Sequence, residues 1–212
     1  MTEIKAVLDF LNQQRARNDC LSLEQVIALV ADGVIVDDPF AAQISRHVVF
    51  QGPCRIRGAV YLFADAPGAL TIGGHVCLEG PSTLEAQGGA TVSVGEHAVI
   101  GLEGGFHVKA NRPGSTIELG AGVRLCGGGA LFGQSMLGPG AQILGRINVV
   151  NCWLAGGAGY ADPNPDSRGA VLKGMGLAEN LRLEQGDVIQ SFGIFSPSQI
   201  RRQTEFHPKP LR

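Results

Sequence analysis

Residues 119–149 have the sequence LGAGVRLCGGGALFGQSMLGPGAQILGRINV, in which a large aliphatic residue recurs at every sixth position. The recurring residues are Leu119, Leu125, Leu131, Leu137, Ile143 and Val149. Most of these hexads also carry a small or β-branched residue four positions later, namely Val123, Gly129, Ser135 and Ala141. This combination is typical of a parallel β-helix, in which three hexads form one coil of a triangular prism. The pattern therefore predicts short strands joined by tight corners, with the large residues stacked in the core.

The same period extends toward the N-terminus in three shorter runs. Their large apolar residues are Ile44, Phe50, Ile56 and Leu62, then Ile72, Leu78 and Leu84, then Val94, Ile100 and Phe106. We therefore predict an all-β protein whose residues 40–157 form about five to six coils of a parallel β-helix. Residues 1–39 are expected to form a helical segment, and residues 158–212 a loop, a hairpin and a capping tail. Aligning the repeats predicts one buried column of Ile44, Ile72, Val94, Leu119 and Leu137.

The flanking segments carry local signals of their own. Residues 3–17 place Ile4, Val7, Leu8 and Leu11 on one face of a predicted helix. Ser22 and Gln25 form a capping box, which predicts the start of a second helix. Apolar residues at 181–183 and 188–189 flank the turn-forming residues 184–187, and this arrangement predicts a hairpin. A cap is expected after the last coil, because an open coil leaves an unpaired sheet edge.

Some coils are longer than three bare hexads. The extra residues are predicted to leave the prism along a single edge, around residues 63–68, 87–89 and 109–114. Loops gathered along one edge of a repeat protein often form its binding face. A wider and less regular third side of the prism accounts for them equally well.

Composition and charge restrict the class of partner. The chain has 17 Lys and Arg against 19 Asp and Glu, and this formal net charge of −2 gives no electrostatic case for nucleic-acid binding.

Five cysteines without a CxxC pair favour a reducing compartment, and we expect those on or beside predicted strands to be buried and unreactive: Cys54, Cys77, Cys126 and Cys152. No apolar run reaches the ~20 residues of a membrane span, and the charged N-terminus lacks the apolar region of a signal peptide. We expect a cytoplasmic protein with neither a nucleic-acid nor a membrane partner.

Residues 31–39, with the sequence ADGVIVDDP, lead directly into the first hexads. This segment resembles the start of the acetyltransferase domain of bacterial bifunctional N-acetylglucosamine-1-phosphate uridyltransferases, where a helix ends at Gly-Val and Asp-Pro opens the β-helix. More broadly, residues 33–155 resemble the hexapeptide-repeat transferase superfamily. The resemblance implies a left-handed parallel β-helix, a homotrimer, and acyl-CoA-dependent transfer to a hydroxyl or amine.

Three histidines occupy one position of the aligned repeats, three residues after a large core residue: His47, His75 and His97. Adjacent coils lie about 4.8 Å apart, so we expect these histidines to form a column along one edge. Repulsion between protonated rings would favour neutral imidazole, the form that a general base needs. A corner that tolerates any polar residue is the alternative. One zinc ion held by all three is not expected, because the outer two are separated by about 9.6 Å.

His107 lies in the sequence FHVKANR, residues 106–112, beside the seven-residue insertion. There it could take a proton from an acceptor hydroxyl that attacks a thioester, while Lys109 or Arg112 could bind phosphates. We therefore predict His97 and His107 as candidate general bases and Lys109 and Arg112 as candidate cosubstrate contacts, with no resident metal. A solvated surface strand is the alternative for this segment.

These observations favour an acyltransferase that binds acyl-CoA in a groove between two subunits of a homotrimer. Its acceptor would be a small, sugar-like molecule with a hydroxyl or an amine. Two alternatives stay open. One is a non-catalytic scaffold whose stacked coils form an assembly surface, and the other is a metal-dependent enzyme of the γ-carbonic-anhydrase type.

Overall fold

The computed structural model describes residues 2–207, and the chain begins with two helices. Helix α1 spans Thr2–Arg17 and helix α2 spans Leu23–Ala28, which continues into a 3₁₀ turn over Leu29–Asp32. The Gln25 backbone N–H donates to the Ser22 hydroxyl, and the Ser22 N–H donates to the Gln25 side chain at 2.9 Å. The predicted capping box is therefore confirmed.

Helix α1 is anchored by an arginine rather than by its apolar residues. Ile4 and Val7 are 69% and 58% exposed, so the predicted apolar face is only partly buried. Arg15, which is 8% exposed, donates instead to four backbone carbonyls, those of Leu21, Pro39, Phe40 and Ala42. These hydrogen bonds fix the end of α1 against the first turn of the β-helix.

The strands that follow form the three walls of a parallel β-helix. The first wall contains β1 (Val34–Val36), β4 (Cys54–Arg57), β7 (Cys77–Glu79), β10 (Val99–Ile100), β13 (Arg124–Cys126) and β16 (Gln142–Leu144). The second wall contains β2 (Gln43–Ile44), β5 (Val60–Ala64), β8 (Ser82–Ala86), β11 (His107–Ala110), β14 (Ala130–Phe132) and β17 (Ile147–Val150). The third wall contains β3 (Val48–Phe50), β6 (Ala69–Ile72), β9 (Thr91–Val94), β12 (Thr116–Leu119), β15 (Ser135–Leu137), β18 (Trp153–Leu154) and β20 (Arg182–Leu183). Strands β4 to β18 complete five turns, and the predicted parallel β-helix is confirmed.

The C-terminal strands extend the same walls. Strand β19 (Val171–Glu179) pairs in parallel with β16 through its first half and with β17 through its second half. Strand β21 (Asp187–Ile194) adds to β19, and β22 (Arg201–Arg202) pairs antiparallel with β21. The predicted hairpin is wrong, because β20 pairs with β18 while β21 pairs with β19. Residues 184–187 are a corner between two walls, where a tight turn has the same local sequence requirements as a hairpin.

The large residues of the hexads point inward and stack in register. On the first wall the stacked residues are Ile56, Leu78, Ile100, Leu125, Ile143 and Leu172. On the third wall they are Phe50, Ile72, Val94, Leu119, Leu137 and Leu154. The predicted column is thus correct except at Ile44, which belongs to the second wall and pairs with Leu62. Every wall repeats the same hexad, so the period does not reveal which wall a hexad occupies once a corner carries extra residues.

The longer corners gather largely on one edge, as predicted. Residues 65–68, 87–90 and 111–115 each connect a strand of the second wall to a strand of the third. Part of the extra length of one coil lies elsewhere, since residues 101–106 connect β10 of the first wall to β11 of the second. The edge between the second and third walls therefore carries Arg112, while the edge between the third and first walls carries His75 and His97.

Candidate functional site

His75 and His97 form a stacked pair on the edge between the third and first walls. Their ring centroids are 4.9 Å apart and the ring planes differ by 9°. Both residues adopt left-handed backbone conformations, with φ of 58° and 59°, and both are exposed. The His97 backbone N–H donates to the Gly74 carbonyl at 2.9 Å, which fixes one corner above the other. The predicted column is confirmed for these two histidines.

His47 is not part of that column, so this element of the prediction is wrong. It lies between β2 and β3, at the edge between the second and third walls, and its Nε2 is 2.9 Å from the Asp19 carboxylate. The backbone N–H of His75 donates instead to the carbonyl of Pro53, which occupies the equivalent corner one coil earlier. His47 and Ile44 differ from prediction for the same reason, because the aligned repeat displaces the hexad that contains both residues by one wall.

The other predicted site residues lie on different faces of the prism. His107 begins β11 on the second wall and is exposed. Lys109 projects from the same strand and forms an ion pair of 3.3 Å with Glu85. Arg112 is exposed in the long corner that follows β11. A single chain therefore keeps His97 apart from His107 and Lys109, and the catalytic and binding roles of all four residues stay predictions.

The cysteines of the chain provide no activated thiol. All five are free, and of the four predicted to be buried, Cys54, Cys126 and Cys152 are buried whereas Cys77 is half-buried. Burial raises the pKa of Cys54 to about 11, and the neighbouring Cys77 adds to the effect. Burial likewise raises the pKa of Cys77 and Cys126. Thiols with raised pKa values stay protonated at neutral pH and are poor nucleophiles, as the strand positions of these cysteines predicted.

A cavity of about 410 Å³ lies on the outer face of the first wall, over its last turns. Its base comes from β13, β16, β19 and β21, and its sides come from the loop 160–168 and the C-terminal residues 203–207. Its basic lining residues are Arg124, Arg168, Lys173 and His207. None of the described lining residues is an aspartate or a glutamate. No sequence signal predicts this cavity, because its parts are distant in the chain and share no motif.

Neighbouring groups hold the two arginines of this cavity in place. The Arg124 guanidinium lies 4.2 Å from the centroid of the Tyr160 ring and donates to Gln142 Oε1 at 3.2 Å. The Arg168 side chain donates twice to the Asp162 carbonyl, at 2.9 and 2.6 Å. Hydrogen bonds from the Asn164 backbone and the Ser167 hydroxyl lower the pKa of Asp162, because they stabilise the charged form of its carboxyl group. The cationic lining is therefore part of an ordered surface.

Among residues 2–207, no group of three or more His, Cys, Asp or Glu side chains is arranged to hold a metal ion. Within the same part of the chain, no helix has both the length and the apolar character needed to span a membrane.

Comparisons with known proteins assign the chain to no family. No family model matches the chain, and no curated protein matches it. The parallel β-helix is consistent with a hexapeptide-repeat protein, because both the hexads and the stacked walls are present. Enzymes and structural proteins share this fold, so function has to be argued from the sites.

Proposed function

We propose that the protein is an acyl-CoA-dependent acyltransferase that acts on a hydroxyl or amine of a small, sugar-like acceptor. The observation that carries this proposal is the exposed pair of His75 and His97 on one edge of the β-helix. No ion pair with a carboxylate is formed by either imidazole within the described chain. In a homotrimer, this edge would face the neighbouring subunit and form one side of a groove.

His97 would act as the general base. Its imidazole nitrogen would accept the proton of the acceptor hydroxyl or amine as that atom attacks the thioester carbonyl. The C–S bond then breaks, the acyl group stays on the acceptor, and the imidazolium returns its proton to the departing thiolate. His75 would hold the ring of His97 in place through the stacking contact of 4.9 Å.

His107 is the second candidate for the base. Its exposed position on the second wall is open to an acceptor, and Arg112 in the following corner could reach the phosphates of acyl-CoA. The Lys109 ammonium is already paired with Glu85, so it would have to exchange that partner for a phosphate. This competition makes the His107 site the weaker of the two.

The test is a thiol-release assay with short and long acyl-CoA donors and a panel of amino-sugar and sugar acceptors. His97→Asn keeps a residue that tolerates the left-handed backbone, whereas His107→Gln preserves size and polarity on the strand. We expect one of these variants to lose about 10²–10⁴-fold in turnover while remaining folded. Full activity in both variants, in an assay where the wild type turns over, would refute a histidine base at either position.

A non-catalytic assembly role is the second candidate, and exposed apolar residues at both ends of the molecule favour it. Phe10 on α1 is 58% exposed, and Phe192 and Ile194 on β21 are 77% and 68% exposed. Apolar groups at opposite ends could join copies of the chain head to tail. Sedimentation that shows open-ended growth with concentration, and no acyl-CoA binding, would favour this role over the enzyme.

A further inference from the structure

We infer that the cavity on the first wall is a binding site for a small organic phosphate, such as a nucleoside monophosphate or a sugar phosphate. This inference goes beyond the proposed acyl transfer and does not depend on it. The cavity lies on the face of the first wall, whereas the histidine pair lies on its edge and His107 lies on the second wall.

The lining of the cavity is positively charged. Arg124, Arg168 and Lys173 bring three fixed positive charges around one cavity, and His207 adds a further N–H donor. No described lining residue is acidic, although the chain as a whole has a net charge of −2. Like charges held around one cavity repel, and a bound dianion would remove that repulsion. The local excess of positive charge therefore favours an anionic ligand.

The cationic side chains of the cavity also keep hydrogen-bond donors that the described protein groups do not use. Arg124 uses one nitrogen on Gln142, and Arg168 uses Nε and Nη2 on the Asp162 carbonyl. Each guanidinium keeps N–H groups without a protein acceptor among the described residues, and Lys173 forms no ion pair there. Guanidinium groups match the oxygens of a phosphate through paired hydrogen bonds. Two oriented arginines and a lysine suit a phosphate better than a singly charged carboxylate.

Apolar groups beside these cations indicate that the ligand is organic. Val171 and Val188 are each 6% exposed and form part of the cavity floor. Leu144 and Phe206 line the cavity as well. A volume of about 410 Å³ is several times that of a bare phosphate and falls within the usual range for small-molecule sites. The space next to the cations fits a sugar or a base attached to the phosphate.

The sides of the cavity are tied together before any ligand binds. The Asp166 carboxylate accepts from the Thr204 N–H at 3.1 Å and from the Thr204 hydroxyl at 3.0 Å. The buried Gln203 side chain donates to the Gly169 carbonyl at 2.8 Å. The loop and the C-terminal residues are thus joined, so little ordering is required when a ligand enters.

Isothermal titration calorimetry at low salt tests the inference with three probes: AMP, glucose 1-phosphate and inorganic phosphate. Lys173→Gln and Arg124→Gln each remove one cation from the cavity. Arg182→Gln is the matched control, because its guanidinium also stacks on an aromatic ring, 4.0 Å from Trp153, but lies on the third wall. Lys173→Gln keeps the test valid if Arg124→Gln disturbs the loop.

We expect at least one organic phosphate to bind the wild type more tightly than inorganic phosphate. Lys173→Gln and Arg124→Gln should each weaken that binding roughly tenfold or more, and Arg182→Gln should leave it unchanged. The inference is wrong if no probe binds the wild type, if inorganic phosphate binds as tightly as both organic probes, or if Arg182→Gln weakens binding as much as Lys173→Gln. Because none of these substitutions touches His97 or His107, acyl transfer can fail or succeed independently.

Discussion

The imidazole rings of His75 and His97 lie face to face, 4.9 Å apart, and each ring is borne by a residue in the left-handed backbone region. The corner, rather than the wall, therefore presents the pair. A left-handed backbone is strained for most side chains and least strained for glycine, asparagine and aspartate. Substitutions at these two positions consequently act on the corner as well as on the imidazole.

Exchanges of His97 should separate these two effects. His97→Asn should fold with nearly the stability of the wild type, whereas His97→Val should lose about 1–2 kcal/mol because a β-branched residue resists positive φ. Urea denaturation measures both values. Equal stability of the two variants would contradict the backbone assignment at this corner.

Two consecutive residues of strand β15 have side chains on opposite faces of the third wall. Leu137 is 1% exposed in the core, and Met136 is 44% exposed on the outer face. Leu137→Asp should prevent folding, because an unpaired buried charge removes much of the about 5–15 kcal/mol that stabilises a domain. Met136→Asp should leave the fold intact, as measured by circular dichroism and urea denaturation. A soluble and fully folded Leu137→Asp protein would contradict the stacking of the third wall.

The anchoring of α1 depends on Arg15. Arg15→Met would leave the carbonyls of Pro39 and Ala42 without the donor that now lies 2.7 and 2.8 Å away. We expect a loss of about 2–4 kcal/mol in the free energy of unfolding, with faster hydrogen exchange along α1. Arg17→Met, at an exposed position of the same helix, is the control and should change stability by about 0.5 kcal/mol or less. Similar losses in both variants would argue against a specific role for the buried guanidinium.

Alkaline pH should destabilise the protein through Cys54. Burial raises the pKa of this thiol from 9.0 to about 11 in the folded chain, so the unfolded chain ionises first as the pH rises. The protonated Cys54 thiol contributes about 2–3 kcal/mol to the free energy of unfolding. This contribution is fully present below pH 9 and is lost by pH 11. Cys54→Ala lacks this contribution, so the gap in stability between it and the wild type should narrow from pH 8 to pH 11. A constant gap would show that the thiol does not ionise as expected.

Assembly can be tested without an activity assay. We expect a homotrimer with the edge that bears His75 and His97 facing a neighbouring subunit, at three times the chain mass of 22.2 kDa. Sedimentation velocity over a range of micromolar concentrations measures this mass directly. A stable monomer would remove the intersubunit groove on which the proposed acyl transfer depends.

Much of the fold could be predicted because hexads are a local signal. Leu119, Leu125 and Leu131 repeat at the spacing of successive walls, and each is buried at 2% or less. The candidate site was less accessible to prediction. The pairing of His75 and His97 is predictable, since the corners that bear them repeat the same sequence pattern. The position of His47 is not predictable in this way, because residues added at other corners shift the hexads from one wall to the next.

The sequence by itself determined the parallel β-helix, its inward columns and the capping box of α2, since each depends on contacts within a coil or a turn. Only the tertiary structure decided the wall to which Ile44 belongs, the strand partners on either side of residues 184–187, and the cavity between Arg124 and Lys173. These features depend on contacts between residues far apart in the chain. A periodic sequence specifies that every coil stacks on its neighbour, but where the irregular segments return to the walls is set by packing and by paired polar groups.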